Sequence, residues 1–166
     1  MREALLFEVK EQFFAFPVTE VREVLRAALP MPLPRPPFGC LGLLDVRGEM
    51  VPVLDLAVIL GLRRPLPLQA MSERLVMSHL LVLEREALPV ALVVDRVLEV
   101  GLAEDAGEEA RALAHSTLGK AAALVAGVVE AGTRRALLLR PEGLVTAGRM
   151  RVLARALSRP RAEAVP

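Results

Sequence analysis

Residues 38–62 read Phe-Gly-Cys-Leu-Gly-Leu-Leu-Asp-Val-Arg-Gly-Glu-Met-Val-Pro-Val-Leu-Asp-Leu-Ala-Val-Ile-Leu-Gly-Leu. Two apolar runs, 41–46 and 50–56, flank the polar triplet Arg47-Gly48-Glu49. Short apolar runs bounded by turn residues are strands, and Gly48 supplies the positive φ that a tight hairpin needs. Neither run alternates cleanly. Leu43, Leu44 and Val46 on one side, and Val51, Val53, Leu54 and Leu56 on the other, leave little room for a wet face. Such strands are covered on both faces, as in a barrel wall with something packed outside it. Pro52 lacks an N–H, which predicts an edge or a bulge there. Arg47 stands almost alone as a cation beside this block, either as a solvated hairpin tip or as a residue offered to a partner.

The whole chain sets bounds around that hairpin. At 166 residues it is one domain or two small, intimately packed ones. Its 21 basic and 20 acidic residues leave a net charge of +1, whereas a nucleic-acid binder is normally far more basic. Nineteen of the cations are arginine and there is no Asn, a compositional bias that says little about function. The absence of Trp and Tyr argues against a base-stacking platform. Cys40 is alone, so no intrachain disulfide forms, and residues 1–3 do not begin a signal peptide. The longest apolar run, 121–129, is far short of the roughly 20 residues that span a bilayer. These features predict a soluble, cytoplasmic protein with no direct membrane insertion.

In chain order, residues 5–9 and 12–17 read as a hairpin that holds four of the five Phe residues. Residues 18–25 change period: Val18, Val21 and Leu25 fall at i, i+3 and i+7, which predicts a short amphipathic helix or helical turn. Residues 29–39 carry five prolines and form an extended connection, with a proline-rich ligand for an SH3-type module as the alternative. Residues 57–60 predict a single helical turn ended by Gly61, and residues 63–78, with Pro65 and Pro67, a mobile loop. Residues 79–84 and 88–95 make a second hairpin, 97–100 a further strand, and 124–130 with 134–139 a last hairpin. The stretch 101–120 is read as a loop with a helical turn over 108–114. The tail 146–159 reads as a helix from its Met150, Leu153, Ala154, Leu157 stripe, with Thr146 as N-cap, Pro160 as stop and Arg149, Arg151, Arg155 and Arg159 on its basic face. That face is either solvated or a membrane-surface or nucleic-acid patch.

Several of these stretches resemble one family. Val46-Arg47-Gly48, then Val51-Pro52-Val53-Leu54-Asp55-Leu56, then Leu60-Gly61-Leu62, resemble the signature of the CheW-like domain. Leu33-Pro34, Pro37 and Gly42 are similar to the family's entry to this hairpin, Val21 and Glu23 to its Val-x-Glu segment, and residues 92–100 to its Leu-x-Val-Asp-x-Val-x-Glu-Val strand. Two positions depart from the pattern: Asp45 stands where the family has Asn, and Arg140 where it has Asp.

The resemblance covers residues 4–146 and implies an all-β fold of two five-stranded SH3-like barrels packed around a shared hydrophobic core, with a short C-terminal helix. It implies subdomains of about 1–62 and 76–140, with 141–159 packing back; 160–166 is expected to be a disordered tail. It further implies a non-catalytic adaptor that couples chemoreceptor cytoplasmic tips to a histidine kinase of the chemotaxis type through that kinase's own CheW-like domain. The protein would then sit in the cytoplasm beside membrane receptor arrays. Partner-binding candidates are Val21, Glu23, Val24, Arg47, Leu92 and Val94, with Arg47 and Glu23 expected to form an ion pair. Val53, Leu54, Leu81, Val93 and Val128 are expected in the core.

The sequence has no Gly-x-Ser-x-Gly, P-loop or Gly-x-Gly-x-x-Gly. His79 and His115 have no Cys or His at ligand spacing, so no metal or cofactor is expected. Asp55 and Asp95 end apolar strands; each is a candidate acid or a cap for the next turn. The competing reading is therefore a small β-barrel enzyme or ligand-binding protein using Asp55, Asp95 and Arg47, and a third is an Arg-tailed nucleic-acid binder. Neither the pathway's output nor the oligomeric state is legible.

Overall fold

The computed structural model describes residues 2–85, 88–105 and 107–144, together with residues 155 and 157. Among these, ten strands form two five-stranded sheets. One is a closed barrel of β1 (Arg2–Val9), β2 (Gln12–Pro17), β8 (Arg96–Asp105), β9 (Val125–Ala131) and β10 (Arg134–Leu139), in the order β1-β2-β10-β9-β8. The other holds β3 (Val21–Arg26), β4 (Cys40–Val46), β5 (Glu49–Asp55), β6 (His79–Leu83) and β7 (Val90–Val94), in the order β3-β6-β7-β5-β4.

The sheets do not follow a cut in sequence at 62–76. The first hairpin joins the last three strands through the parallel pair β2–β10, and β6–β7 joins the central hairpin through the parallel pair β5–β7. Parallel neighbours need a long crossover. The chain between β2 and β10 contains the whole second sheet, and the chain between β5 and β7 contains residues 56–89.

Among the described residues the second sheet is not closed by a continuous ladder. Its edges are β3 and β4. The segment that follows β3 touches β4 through an isolated bridge, in which Met31 and Leu43 exchange backbone bonds of 2.7 and 2.9 Å. Pro30 and Pro32 on either side of Met31 have no N–H to extend it. Gly42 makes the approach possible, since a Cβ there would lie 2.1 Å from the Met31 carbonyl oxygen. Pro52 sits on β5, which is an interior strand, just before the parallel ladder on β7 begins at Val53. Its missing donor therefore leaves no ladder position unfilled on that side.

Both faces of the central strands are covered, which explains their lack of alternation. Leu54 and Leu92 face the barrel, in one core with Phe7, Phe14 and Phe16; Val53 and Val93 face outward into a second cluster with Met71 and Leu75. The expected core residues Val53, Leu54, Leu81, Val93 and Val128 are all buried. The Phe7 and Phe16 rings stack with centroids 5.1 Å apart.

Helices fill the remaining gaps: α1 (Leu56–Ile59), α2 (Leu68–Val76), α3 (Glu108–Leu118) and α4 (Pro141–Leu144). Three expectations change here. Residues 63–78 are not all loop, because Met71 and Leu75, four apart, seat α2 on the second sheet. Residues 18–25 are a 3-10 turn over Val18–Glu20 followed by a strand, not a helix. The β-branched valines favour extended backbone, and exposure alternates with a period of two along β3. The expected turn at 108–114 grows to the eleven residues of α3, whose Ala110, Ala114 and Leu118 are buried. Of the tail helix expected over 146–159, Arg155 and Leu157 are helical, while the rest of it and residues 160–166 lie outside the described residues.

Candidate partner-binding surface

The central hairpin turns through Arg47 and Gly48, with φ of 50° and 86°. Positive φ at both central residues is the two-residue turn whose twist matches that of the strands it joins. Asp45 holds this turn, because its Oδ1 accepts the Gly48 N–H at 2.7 Å. The acceptor oxygen that Asn would offer is present in Asp, so that departure leaves the turn intact.

The turn projects Arg47 across the open seam between the sheet edges. Its guanidinium donates to the Glu23 carboxylate on β3. Beside it, Arg22 reaches Glu49 at 3.0 Å and Glu84 at 3.3 Å. The hydrogen bond to Glu49 raises the Arg22 pKa above its ordinary value. The Arg47–Glu23 and Arg22–Glu49 pairs tie β3 to the β4–β5 hairpin, where the described residues form no continuous backbone ladder. Arg47 is the most exposed of these five side chains, and Glu23 is about four-fifths covered.

The other expected contacts divide into two sets. Val21 is half-buried against the shared core, and Val24 is 41% exposed on the opposite side of β3 from Glu23. Leu92 and Val94, in contrast, have no accessible side chain, at 0% and 1% exposure. They lie on β7, which is hydrogen-bonded on both sides, and their side chains are in the shared core. They are therefore corrected from partner-contact residues to core residues. An apolar strand that lines a groove and one that fills a core read the same in sequence.

Asp55 and Asp95 are each taken up by a different arginine. Asp55 is buried and pairs at 2.9 Å with Arg63, itself nearly covered. Burial pushes the Asp55 carboxyl up, and Arg63 beside it pulls the other way. Asp95 joins the sheets: its Oδ1 accepts from Arg74 of α2 at 3.0 Å, and its Oδ2 from the Lys10 N–H in the β1–β2 turn at 2.7 Å. Lys10 and Glu11 both have positive φ without being glycine, so this acceptor steadies a strained turn. Arg22 and Arg63 are charged partners of these residues that the sequence does not single out. The alternation of charge at residues 20–23 is a signal for Arg22; nothing in the sequence marks Arg63 as buried.

Among the described residues no group of three or more His, Cys, Asp or Glu could hold a metal ion. His79 begins β6, and its Nδ1 is buried without a partner among the described residues. Among those residues no helix is long and apolar enough to cross a membrane.

A family model described as the CheW-like domain matches residues 3–149. The chain is 32% identical over 98 residues to the chemotaxis protein CheW of Thermotoga maritima, covering 59% of this chain and 60% of that one. It is 28% identical over 99 residues to the chemotaxis protein CheW of Rhizobium meliloti, covering 60% of this chain and 59% of that one. A stretch of 55 residues is 46% identical to Protein FrzA of Myxococcus xanthus, covering 33% of this chain and 34% of that one. The matched stretches thus span about three-fifths of the first two relatives and a third of the last. The crystal structure of the scaffolding protein TtCheW from Thermoanaerobacter tengcongensis has a TM-score of 0.69 at 19% identity, over 89% of this chain and 94% of that one. At that identity the likeness speaks for the fold.

Proposed function

The chain belongs to the CheW-like domain family, and we propose that it is a non-catalytic adaptor that couples chemoreceptor cytoplasmic tips to a histidine kinase of the chemotaxis type. In this reading the kinase is engaged through its own CheW-like domain, and the protein works in the cytoplasm beside membrane receptor arrays. The observation that carries the reading is the Arg47–Glu23 pair, set at family-motif positions on the open seam of the second sheet. A helical receptor tip laid along that seam would meet Arg47, Glu23 and the half-buried Val21, while Val24, on the other face of β3, would offer a separate contact. Apart from the Met31–Leu43 bridge, the edges of β3 and β4 that are unpaired among the described residues add backbone donors and acceptors for recognition.

The carboxylates that an enzyme would need are committed elsewhere. Asp55 and Asp95 face Arg63 and Arg74, and Arg47 faces Glu23. If receptor and kinase occupy different parts of the adaptor, it raises their effective concentration without new chemistry.

The test is autophosphorylation of the cognate kinase with receptor tips, with and without this protein. The wild type raises kinase output in the presence of receptor, and Arg47→Glu does so less. Equal rates with and without the wild type would sink the adaptor reading.

A further inference from the structure

The charge of this chain is unevenly placed. From residue 111 to the end there are ten lysines and arginines against three glutamates, a net of +7, while residues 1–110 carry a net of −6. Such asymmetry within a nearly neutral chain points to an anionic partner for one part of it.

The structure gathers part of that excess into one concavity. Arg111 and His115 sit four apart on α3, and Lys120 follows in the 3-10 turn Gly119–Leu124. Arg140 follows β10. These four side chains line a pocket of about 420 Å³ over an apolar floor that includes Ala114 and Val125. No described acidic residue lines it. Among the described residues none of the four side chains has a hydrogen-bond or ion-pair partner, although ten ion pairs are formed elsewhere. The sequence after Leu144 holds five more arginines and a single acid, Glu163, so it brings little to neutralise the pocket.

The larger cavity at the barrel junction is different. It holds about 800 Å³ and is lined by four acids and three bases, with Glu8 paired to Arg96 and Asp95 to Arg74. Its charges cancel locally, whereas those around Arg140 add.

We infer that the pocket formed by Arg111, His115, Lys120 and Arg140 binds a phosphate group. Three permanent cations around one small concavity suit an ion with two or more negative charges better than a single carboxylate. Arginine's planar donors match phosphate oxygens in pairs, and lysine adds a point charge. The volume lies at the small end of ligand sites, roughly 300–1,000 Å³, and suits one or two phosphates. No aromatic side chain lines it for a base to stack on. The phosphate is carried either by a free small molecule or by a phosphorylated segment of a protein. This inference is independent of the adaptor reading, and its test shares no variant with that one.

The experiment is calorimetric titration of the full chain with inorganic pyrophosphate and, separately, with a short phosphoserine peptide and its unphosphorylated form. The expected result is saturable one-to-one binding of at least one phosphate probe, weakened at least tenfold by Arg140→Asp and by Lys120→Glu. Arg2→Ala, a cation far along the chain on β1, should leave it unchanged. Binding of pyrophosphate assigns the site to a free phosphate ligand. Binding of the phosphopeptide alone assigns it to a phosphorylated protein segment. If Arg140→Asp loses its melting transition, Lys120→Glu decides. Absence of saturation with both phosphate probes, or equal affinity in the folded variants, overturns the inference.

Discussion

Arg47, in the turn between β4 and β5, is bonded to Glu23 on β3, 24 residues earlier, across the gap where the second sheet has no continuous backbone ladder. The pair spans two sheet edges, and both side chains reach the surface, Arg47 far more than Glu23. An ion pair exposed to this degree contributes about 0–1 kcal/mol to stability. Its value is in holding the seam in one shape.

Reversal of either charge, Arg47→Glu or Glu23→Arg, should therefore weaken receptor binding with little change in melting temperature. The double swap should recover part of the binding by restoring the pair. Binding by pull-down with receptor tips, alongside thermal melts, reads both effects. A melting loss as large as that of a core deletion would make the pair structural instead.

Leu54 is fully buried at the contact between sheet and barrel. Leu54→Ala opens a void in that contact and should cost about 2–5 kcal/mol. Urea unfolding measures it. An unchanged midpoint would refute the place of β5 in the shared core.

Asp55 and Arg63 are a buried pair, with Arg63 Nε and Nη1 covered and without partners among the described residues. Asp55→Ala leaves a buried guanidinium without its counter-charge and should cost about 3–5 kcal/mol. Adding Arg63→Met to that variant should recover much of the loss. A double variant as unstable as the single one would show that the uncompensated charge is not the cause.

Glu8 on β1 accepts two hydrogen bonds from Arg96, at 3.1 and 2.9 Å, and this contact holds its carboxyl below the ordinary value. A carboxylate depressed in the folded state stabilises the fold above its unfolded value. That contribution is lost as pH falls below the ordinary glutamate range and through the folded value. Glu8→Gln should be less stable than wild type at neutral pH and should converge with it in acid. Melting curves between neutral pH and pH about 3 test this; a constant difference across that range would exclude the linkage.

Features set by neighbours in the chain are legible in the sequence. The Arg47-Gly48 turn follows from two apolar runs around a glycine, and its positive φ values are a local matter. The central core is legible too, because strands without a polar face have to be covered twice. Residues 18–25 are ambiguous in period: Val18, Val21 and Leu25 fit a helix, while Val21, Glu23 and Leu25 fit the observed strand equally well in so short a window. The prolines at 65 and 67 mask α2, whose signal is the Met71 and Leu75 spacing just beyond them.

Sequence by itself determined the hairpins, the doubly covered strands, and the charged residues standing in apolar motifs. Tertiary structure alone decided which strands share a sheet, that β3 and β4 stay unzipped, and that Leu92 and Val94 face the core while Val24 faces out. It also decided that Asp55 meets Arg63 and that Arg111, His115, Lys120 and Arg140 converge. The physical reason is range. Turn geometry and side-chain periodicity are set by torsions a few residues long. Ladder partners, burial and the sum of charges around a pocket are set by residues far apart in the chain, and apolar or charged side chains do not encode which distant neighbour they will meet.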